Sequence, residues 1–225
     1  MKKEILPIAY IKSDFKEKFG IPRQSGRAKS CIAKIFFLDE YNTPDAIKGI
    51  EEFSHLWLLF GFSKCKYTKF KACVRPPRLG GNKRVGVFAS RAPYRPNGIG
   101  LSSVRLISAD KNSNQISLTV SGADLLDGTP IYDIKPYVPS SDCHIDAKGG
   151  FSDDYTNYSL EVVFDCDFPI NFPEDKKQAL KEILSDDPRP AYHNDTREYG
   201  MRFDAFNVKF FVEDKKLFVV AIENL

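Results

Sequence analysis

Short stretches rich in β-branched and aromatic residues recur along the chain, with turn-forming residues between them. Stretches of this length and composition are typical of strands. They cover residues 5–11, 30–37, 55–62, 84–90, 101–108, 115–121 and 131–137. Residues 111–114, Lys-Asn-Ser-Asn, fit a hairpin turn between two of them. The pattern predicts a mainly β fold, built on an antiparallel sheet or barrel.

One helix is predicted within this β-rich region, over residues 44–53. Thr43 is a residue type that caps helix N-termini, and Pro44 suits the first helical position. The spacing of Ile47, Ile50 and Phe53 places them on one side of such a helix. We expect that side to be buried.

The pattern changes after about Phe168. A proline-flanked break is followed by a short amphipathic helix over residues 174–184, whose apolar side carries Leu180, Ile183 and Leu184. Two apolar strands are predicted beyond it, over residues 206–212 and 217–222. We therefore predict two domains: a β-barrel over residues 1–167 and a small α+β domain over residues 168–225.

The composition is that of an ordinary globular protein. The 225 residues are 42% hydrophobic and 28% charged, with a formal net charge of +3, which suffices for a sizeable core. The longest apolar runs are too short to cross a bilayer, and the N-terminus lacks an apolar segment with a cleavage site. We expect a cytoplasmic protein with no membrane partner.

Neither the cysteines nor the histidines predict a metal site. The five cysteines include no C-x-x-C pair, and His55, His144 and His193 lack the spacing of metal ligands. We expect the cysteines to be reduced and structural. The chain also lacks a Rossmann glycine turn, a P-loop, and the G-x-S-x-G and H-E-x-x-H motifs. Hydrolase and kinase activities are therefore not indicated.

Charge is distributed unevenly along the chain. Between residues 64 and 109 there are eleven basic residues and no Asp or Glu. Lysines and arginines in this density neutralise phosphates, and arginines also stack on unpaired RNA bases. The stretch therefore favours a nucleic acid as partner. The alternative is a solvated surface balanced from elsewhere by the acidic residues Glu40, Asp45, Glu51 and Glu52.

The same stretch holds two loops rich in proline and glycine, R-P-P-R-L-G-G-N at 75–82 and R-P-N-G-I-G-L-S at 95–102. Proline fixes φ, and glycine lets the backbone approach a ligand closely. Such loops can hold arginines and backbone amides in a rigid arrangement around a ligand. They fit equally well as a pair of tight turns between strands.

A second cluster of polar residues is D-L-L-D-G-T-P at 124–130, followed by a predicted strand. Residues two apart on a strand share one face, so Asp133, Lys135 and Tyr137 lie together. This face can bind a polar ligand or accept a proton. Alternatively, Asp133 and Lys135 simply neutralise each other.

Taken in order, these motifs resemble the TrmO family of tRNA methyltransferases, also called the TsaA-like or YaeB-like family. The resemblance runs through almost the whole chain. It rests on P-R-Q at 22–24, F-S-H-L-W at 53–57, the two proline- and glycine-rich loops, D-L-L-D-G-T-P at 124–130, D-I-K-P-Y at 133–137 and D-P-R-P-A-Y at 187–192.

The resemblance implies a TsaA-like β-barrel and S-adenosylmethionine as the methyl donor. It also implies a homodimer with its sites near the subunit interface, and tRNA carrying threonylcarbamoyladenosine at position thirty-seven as substrate, methylated on N6. The implied cofactor contacts are Pro22, Arg23, Gln24, His55, Leu56, Arg91, Leu101, Asp127, Gly128, Thr129 and Pro130. The candidate RNA contacts are Arg75, Arg78, Lys83, Arg84, Arg95 and Arg189.

Methyl transfer from a sulfonium needs alignment and exclusion of water rather than an enzyme nucleophile. The urea-like N6 loses its proton during transfer, and Asp133, Lys135 and Tyr137 are the candidate acceptors. The chain departs from the family pattern at Gly98, where proline is common, at Ala92, where serine is common, and at His193, where arginine is common. These departures leave open a non-catalytic S-adenosylmethionine- or RNA-binding protein on the same fold.

Overall fold

The computed structural model describes residues 4–62, 64–65, 70–76, 79, 83–112, 114–190 and 195–225. The α-helices in these ranges are α1 (Pro139–Asp142) and α2 (Glu174–Ser185). The strands in the same ranges are β1 (Ala9–Lys12), β2 (Ile32–Phe37), β3 (His55–Gly61), β4 (Cys73–Val74), β5 (Val85–Gly86), β6 (Ile99–Asp110), β7 (Ser117–Ser121), β8 (Pro130–Pro136), β9 (Glu161–Phe164), β10 (Tyr199–Phe203), β11 (Phe206–Glu213) and β12 (Lys216–Asn224).

Six of the strands close into an antiparallel barrel in the order β1-β2-β7-β6-β3-β8, and β8 pairs back onto β1. Closure removes the free edges that a sheet of this size would otherwise expose. The alternation of each strand sends one set of side chains inward. On β3 the inward set is Leu56, Leu58 and Phe60, all at most 6% exposed. The predicted mainly β fold is confirmed.

Antiparallel order brings three long connections to the same end of the barrel. They join β1 to β2 (residues 13–31), β3 to β6 (residues 62–98) and β7 to β8 (residues 122–129). We call this end the loop rim. The P-R-Q motif, much of the basic stretch and the D-G-T-P turn all lie on it. Motifs that are far apart in sequence are therefore gathered at one end of the fold.

A second sheet of order β10-β11-β12-β9 forms the C-terminal unit, with Leu180, Ile183 and Leu184 of α2 buried in its core. The predicted helix is confirmed, as are the strands beyond it. β9 pairs in parallel with β12. A domain boundary between residues 167 and 168 would assign β9 to the barrel, whereas its hydrogen bonds join it to the second sheet.

The predicted α-helix over residues 44–53 is wrong. The segment forms two short 3-10 helices, Pro44–Ile47 and Ile50–Glu52, separated by Gly49 at φ 79°. Thr43 makes no side-chain capping bond. Ile47 is buried at 3% exposure, but Phe53 is 37% exposed. A left-handed glycine breaks the helical path, so the expected apolar side does not form.

The strand predicted over residues 84–90 is also largely wrong. Within this segment only Val85–Gly86 forms a strand, β5, which pairs with β4 rather than with the barrel. A 3-10 turn, Val87–Ala89, follows at once. Val87 is buried, whereas Phe88 is 69% exposed. The apolar residues of this segment anchor a loop rather than a barrel strand.

The barrel and the C-terminal unit are joined by polar contacts around α2. Lys176 lies 2.7 Å from Asp14 of the barrel unit and 2.7 Å from Asp204 of the C-terminal sheet. Ser30 donates from both its backbone and its hydroxyl to the carboxylate of Glu182, at 2.8 Å each. These contacts fix the C-terminal unit against the loop rim. In the described part of the chain, no helix has the length and apolar character needed to cross a membrane.

Candidate functional site

A cleft of about 1150 Å³ lies between the loop rim and the C-terminal unit. One wall is made by residues 18–24, and another by residues 71–76 and 90–94 of the long loop between β3 and β6. The C-terminal unit contributes residues 186–190. The P-R-Q motif and the D-P-R-P motif, which are more than 160 residues apart, thus face one cavity.

The P-R-Q motif is held on both sides of the cleft. The Arg23 Nη2 donates to the backbone carbonyl oxygens of Asp187 at 3.3 Å and Arg189 at 2.5 Å. Gln24 accepts at Oε1 from Arg91 Nη1 at 2.8 Å. Pro22 is buried beside them. Four of the predicted cofactor residues, Pro22, Arg23, Gln24 and Arg91, therefore come together in this cleft.

Arg189, a predicted RNA contact, is largely buried in the wall of the cleft. Its side chain is 10% exposed and forms a two-pronged ion pair with Asp187, at 2.9 Å from Nε and 3.1 Å from Nη2. Tyr158 donates to the same carboxylate at 2.8 Å. These bonds outweigh burial and hold the pKa of Asp187 below its usual value. The guanidinium thus supports the cleft wall, and its contact with RNA stays a prediction.

The cleft is strongly basic. Arg75 and Arg84 line it as exposed side chains, which agrees with a phosphate-binding surface. Lys18 and Arg27 line it too, although no motif singles them out in the sequence. Asp186 is paired with Arg27 at 2.7 Å. Among the described residues, no ion pair neutralises a basic side chain of the 64–109 stretch.

The other predicted RNA contacts are distributed differently. Lys83 is exposed but does not line the cleft. Arg95 donates from Nη1 to the carbonyl oxygens of Ser90 at 2.6 Å and Val87 at 3.2 Å, so it stabilises its own loop. Arg78 lies outside the described residues. The alternative prediction was a solvated surface whose charge is balanced by four acidic residues. One of them, Glu51, pairs instead with Lys111, which lies outside the basic stretch.

The D-G-T-P turn lies on the loop rim beside β1 and outside the cleft. Asp127 accepts from the Ser13 backbone N–H at 2.9 Å and from the Lys16 ammonium at 2.9 Å. Gly128 takes a φ of 74°, a left-handed conformation that favours glycine. Thr129 is 3% exposed, and Pro130 begins β8. The turn is thus fixed firmly to the start of the β1–β2 connection.

Three of the predicted cofactor residues lie outside the cleft that holds the P-R-Q motif of the same chain. They are His55, Leu56 and Leu101. His55 begins β3, so it lies six residues, or about 20 Å, from the end of that strand at the loop rim. Leu56 has no exposed surface and points into the barrel core, so its side chain cannot touch a cofactor. Leu101 is 47% exposed on the outside of the barrel.

Asp133 and Lys135 share the outer face of β8, and Tyr137 follows directly after the strand. Asp133 and Lys135 form an ion pair at 3.0 Å with both side chains exposed. The Tyr137 ring packs on Trp57 with 5.4 Å between ring centres, and loss of hydration raises the pKa of its hydroxyl. This ion pair matches the alternative prediction, in which Asp133 and Lys135 neutralise each other. These residues lie outside the cleft.

Two family models match the sequence. Residues 10–143 match the tRNA-methyltransferase O N-terminal domain, and residues 161–225 match the TrmO C-terminal domain. The chain belongs to the TrmO family. The two matched segments carry the barrel with its loop rim and the C-terminal sheet, so the family similarity covers both walls of the cleft.

Two bacterial relatives of this TrmO-family protein match it over most of their length. It is 38% identical to the tRNA (adenine(37)-N6)-methyltransferase of Escherichia coli K12, over 96% of each chain. It is 41% identical to a putative S-adenosylmethionine-dependent methyltransferase, RcsF, of Pseudomonas aeruginosa, over 90% of this chain and 89% of the relative. A crystal structure of TrmO from Pseudomonas aeruginosa superposes with a TM-score of 0.81 at 33% identity, covering 100% of this chain and 98% of the other.

In the described ranges of this TrmO-family chain, no group of three or more His, Cys, Asp or Glu side chains could hold a metal ion. All five cysteines are free thiols. Burial raises the pKa of Cys31 to about 12, with Glu182 and Asp14 adding to the shift. At neutral pH Cys31 is thus a protonated core residue.

Proposed function

We propose that this protein transfers a methyl group from S-adenosylmethionine to N6 of the adenosine at position 37 of tRNA. The observation that carries the proposal is the convergence of the P-R-Q motif, Arg91 and exposed basic residues in one cleft. Relatives over nearly the full chain bear the names of S-adenosylmethionine-dependent methyltransferases and of tRNA adenine-37 methyltransferases. We further propose that the adenosine carries the threonylcarbamoyl group.

The chemistry of the cleft suits S-adenosylmethionine. The cofactor combines a carboxylate, an adenine ring and cationic groups, so it needs polar donors and acceptors beside apolar surface. Gln24 and Arg91 offer the polar groups, and Pro22 and Ile21 offer apolar surface in the same cavity. The bound cofactor would supply an activated methyl group. The role of the cleft residues is to fix the donor in position and exclude water.

The basic lining supports RNA as the acceptor. Arg75 and Arg84 are exposed at the cleft, and Lys83 adjoins Arg84 on the same loop. Cations in this arrangement bind phosphates and contribute affinity that does not depend on base sequence. We infer that these three side chains hold the backbone of the anticodon loop, and that the engaged Arg95 and Arg189 preserve the shape of the cleft.

We propose that Asp133, assisted by Lys135 and Tyr137, accepts the proton that leaves N6. Asp133 is exposed and carries an ion pair to Lys135, so a substrate can displace the lysine from the carboxylate. Because the three residues lie on the barrel wall rather than in the cleft, they can reach a nucleotide held at the cleft of another subunit.

The same placement supports a homodimer. His55 is exposed at the far end of β3, and Leu101 is exposed on the outer barrel face. A second copy that places these residues against the cleft of the first would complete the cofactor site. We propose this arrangement for the protein, acting in the cytoplasm. Sedimentation velocity across a range of concentrations tests the assembly.

The deciding experiment incubates the purified protein with S-adenosylmethionine and tRNA bearing threonylcarbamoyladenosine, and then identifies the nucleosides by mass spectrometry. A mass gain of one methyl group on that nucleoside, absent without cofactor, is the expected result. Methylation of other adenosines only would contradict the proposed acceptor. Cofactor and tRNA binding without turnover would instead identify a non-catalytic binding protein on this fold.

Calorimetry with the cofactor tests the first step separately. A ligand that binds only the folded protein stabilises it by about 2.7 kcal/mol at one hundred times its Kd. S-adenosylmethionine should therefore raise the Tm, whereas an equal concentration of adenosine should raise it less. No heat of binding at millimolar cofactor would rule out this cofactor for the protein.

A further inference from the structure

Three large aromatic side chains are exposed on the long loop between β3 and β6. Phe70 is 56% exposed, Phe88 is 69% exposed and Tyr94 is 44% exposed. The rings of Phe70 and Phe88 are stacked, with 6.4 Å between their centres. Single exposed apolar side chains are common on protein surfaces, whereas a group of them indicates a binding surface. We call these three residues the aromatic platform.

Two cations lie against the rings of the aromatic platform. The Arg95 Cζ is 5.7 Å from the centre of the Phe88 ring, and the Lys71 Nζ is 5.6 Å from the centre of the Tyr94 ring. Both distances are within the range of a cation–π interaction. Lys71 directly follows Phe70, and Arg95 directly follows Tyr94. These contacts therefore join the three rings and the two cations into one surface.

The backbone that carries Phe88 is held by hydrogen bonds on both sides. Phe88 lies in the 3-10 turn that follows β5, next to Val87, which is 1% exposed. The Val87 N–H donates to the carbonyl oxygen of Ala72 at 2.9 Å. The Val87 carbonyl oxygen accepts from the Ser90 hydroxyl at 2.9 Å and from Arg95 Nη1 at 3.2 Å. A well-anchored turn thus presents an exposed ring, which reduces the entropy that a ligand must cost on binding.

The aromatic platform begins at the edge of the cleft. Lys71 and Tyr94 line the cleft together with Arg75 and Arg84, whereas Phe88 lies outside it. The surrounding stretch, residues 64–109, contains no Asp or Glu. Within the described part of the chain Lys71 forms no ion pair, so a protein surface that covered the rings would also desolvate an unpaired charge. Exposed rings beside exposed cations suit unpaired nucleic acid, whose bases stack on the rings while its phosphates meet the cations.

We propose that the aromatic platform of Phe70, Phe88 and Tyr94 stacks unpaired bases of the tRNA anticodon loop beside the adenosine that is held in the cleft. The inference rests on the proposed function for the identity of the RNA. Stacking tolerates any base, because every base has a flat aromatic face. A paired helix keeps its base faces covered, so the platform distinguishes a loop from a duplex.

Phe88→Ala removes the most exposed ring of the aromatic platform. Because the side chain is 69% exposed, the Tm should change little. The affinity for tRNA, measured by fluorescence anisotropy, should fall at least about fivefold, the lower end of the usual effect of removing a stacked ring. The slope of log affinity against log salt should keep its wild-type value, because a phenyl ring carries no charge and displaces no counterions. An unchanged affinity for tRNA would overturn the proposal.

A conservative variant and a second RNA test whether stacking is the cause. Phe88→Trp keeps a large flat ring and should bind tRNA within twofold of wild type. A fully paired RNA duplex has no free base faces, so Phe88→Ala should bind it as tightly as wild type does. Equal losses for tRNA and duplex would refute stacking. Phe70→Ala removes the other ring of the stacked pair and should also weaken tRNA binding, so the test does not depend on one variant.

Phe211→Ala is the matched control. Phe211 is stacked on Phe218 in the C-terminal sheet, with 5.2 Å between ring centres, and lies outside the cleft. Its removal should leave the affinity for tRNA unchanged. Sedimentation velocity of Phe88→Ala tests the other occupant, a second copy of the chain. The variant should sediment like wild type, and a shift to a smaller species would show that the rings are covered by a subunit, which would overturn the proposal.

These binding measurements need neither cofactor nor turnover, so they separate this inference from the proposed reaction. A wild-type protein that binds tRNA through Phe88 but transfers no methyl group would refute only the reaction. A wild-type protein that methylates tRNA, with the affinity and the KM for tRNA unchanged in Phe88→Ala, would refute only the aromatic platform. A wild-type protein that binds no tRNA would overturn the platform as well.

Discussion

Arg23 on the loop rim donates from Nη2 to the backbone carbonyl oxygen of Arg189 in the C-terminal unit, with 2.5 Å between the two atoms. Arg23, a residue of the predicted cofactor motif, therefore also joins the two halves of the protein by a hydrogen bond. This contact helps to hold the two walls of the cleft together, beside the bonds of Lys176 and Ser30. Cofactor binding and the docking of the C-terminal unit are expected to depend on each other.

Replacement of Arg23 by alanine should affect both properties. It removes charged hydrogen bonds to two carbonyl groups, each worth about 1.5 to 3 kcal/mol at most. We expect a loss of about 2 kcal/mol in the free energy of unfolding, together with weaker binding of S-adenosylmethionine. Urea denaturation and calorimetry measure the two effects. Lys209→Ala, which breaks an exposed pair with Glu223, should leave the stability close to that of wild type.

The exposed basic residues should control the salt dependence of tRNA binding. Changing Lys83 and Arg84 together to glutamine removes two phosphate contacts, so the slope of log affinity against log salt should fall by about 1.5. Fluorescence anisotropy at several salt concentrations gives the slope. The paired change of Lys209 and Lys216 to glutamine, on the C-terminal sheet, should leave it unaltered. An equal fall in both double variants would refute a specific role for the 83–84 segment.

Asp133→Asn should lower the single-turnover rate of methylation by about a hundredfold or more, the usual scale for loss of a general base. The affinity for the cofactor should stay near that of wild type. Glu161→Gln breaks a comparable exposed ion pair with Lys216 and should leave the rate unaffected. A stable Asp133→Asn dimer that methylates tRNA at the normal rate would exclude Asp133 as the proton acceptor. Loss of assembly before loss of rate would point to a role in the dimer.

The bonded Asp187 carboxylate should make stability depend on pH in the acid range. Its folded-state pKa lies below the ordinary value of 3.8, so it stabilises the fold above that pH. The contribution is lost as the pH falls through the lowered pKa. Asp187→Asn should therefore cost about 2 kcal/mol at pH 7, and the difference from wild type should shrink as the pH drops below about 4. Urea denaturation at pH 7 and in steps down to pH 3 measures it, and a constant difference would contradict this assignment.

The barrel strands could be predicted from the sequence because each is a short stretch rich in β-branched and aromatic residues between turn-forming residues. On β3 the inward Leu56, Leu58 and Phe60 alternate with the apolar Trp57 and Leu59, so composition marks the strand and only the structure shows which side faces the core. Helix α2 could be predicted from its period, since Leu180, Ile183 and Leu184 recur at helical spacing. Local periodicity is enough when one side of an element faces the core.

A period alone was not enough for two other elements. The edge strand β10 alternates exposed Gly200 and Arg202 with buried Met201 and Phe203, but five residues that include a glycine carry only a weak strand signal. The segment over residues 44–53 has helical spacing but also Gly49, whose left-handed backbone divides it.

The sequence by itself determined the mainly β architecture, the amphipathic helix and the family, because these depend on local periodicity and on ordered motifs. Only the tertiary structure decided what each polar side chain does. Arg84 and Arg189 are the same residue type in predicted RNA contacts, yet Arg84 is exposed at the cleft and Arg189 is held by Asp187. The Asp187 carboxylate also accepts from Tyr158, and Arg23 of the loop rim donates to the Arg189 carbonyl, so the burial of Arg189 depends on how the C-terminal unit packs, which residue order alone does not show.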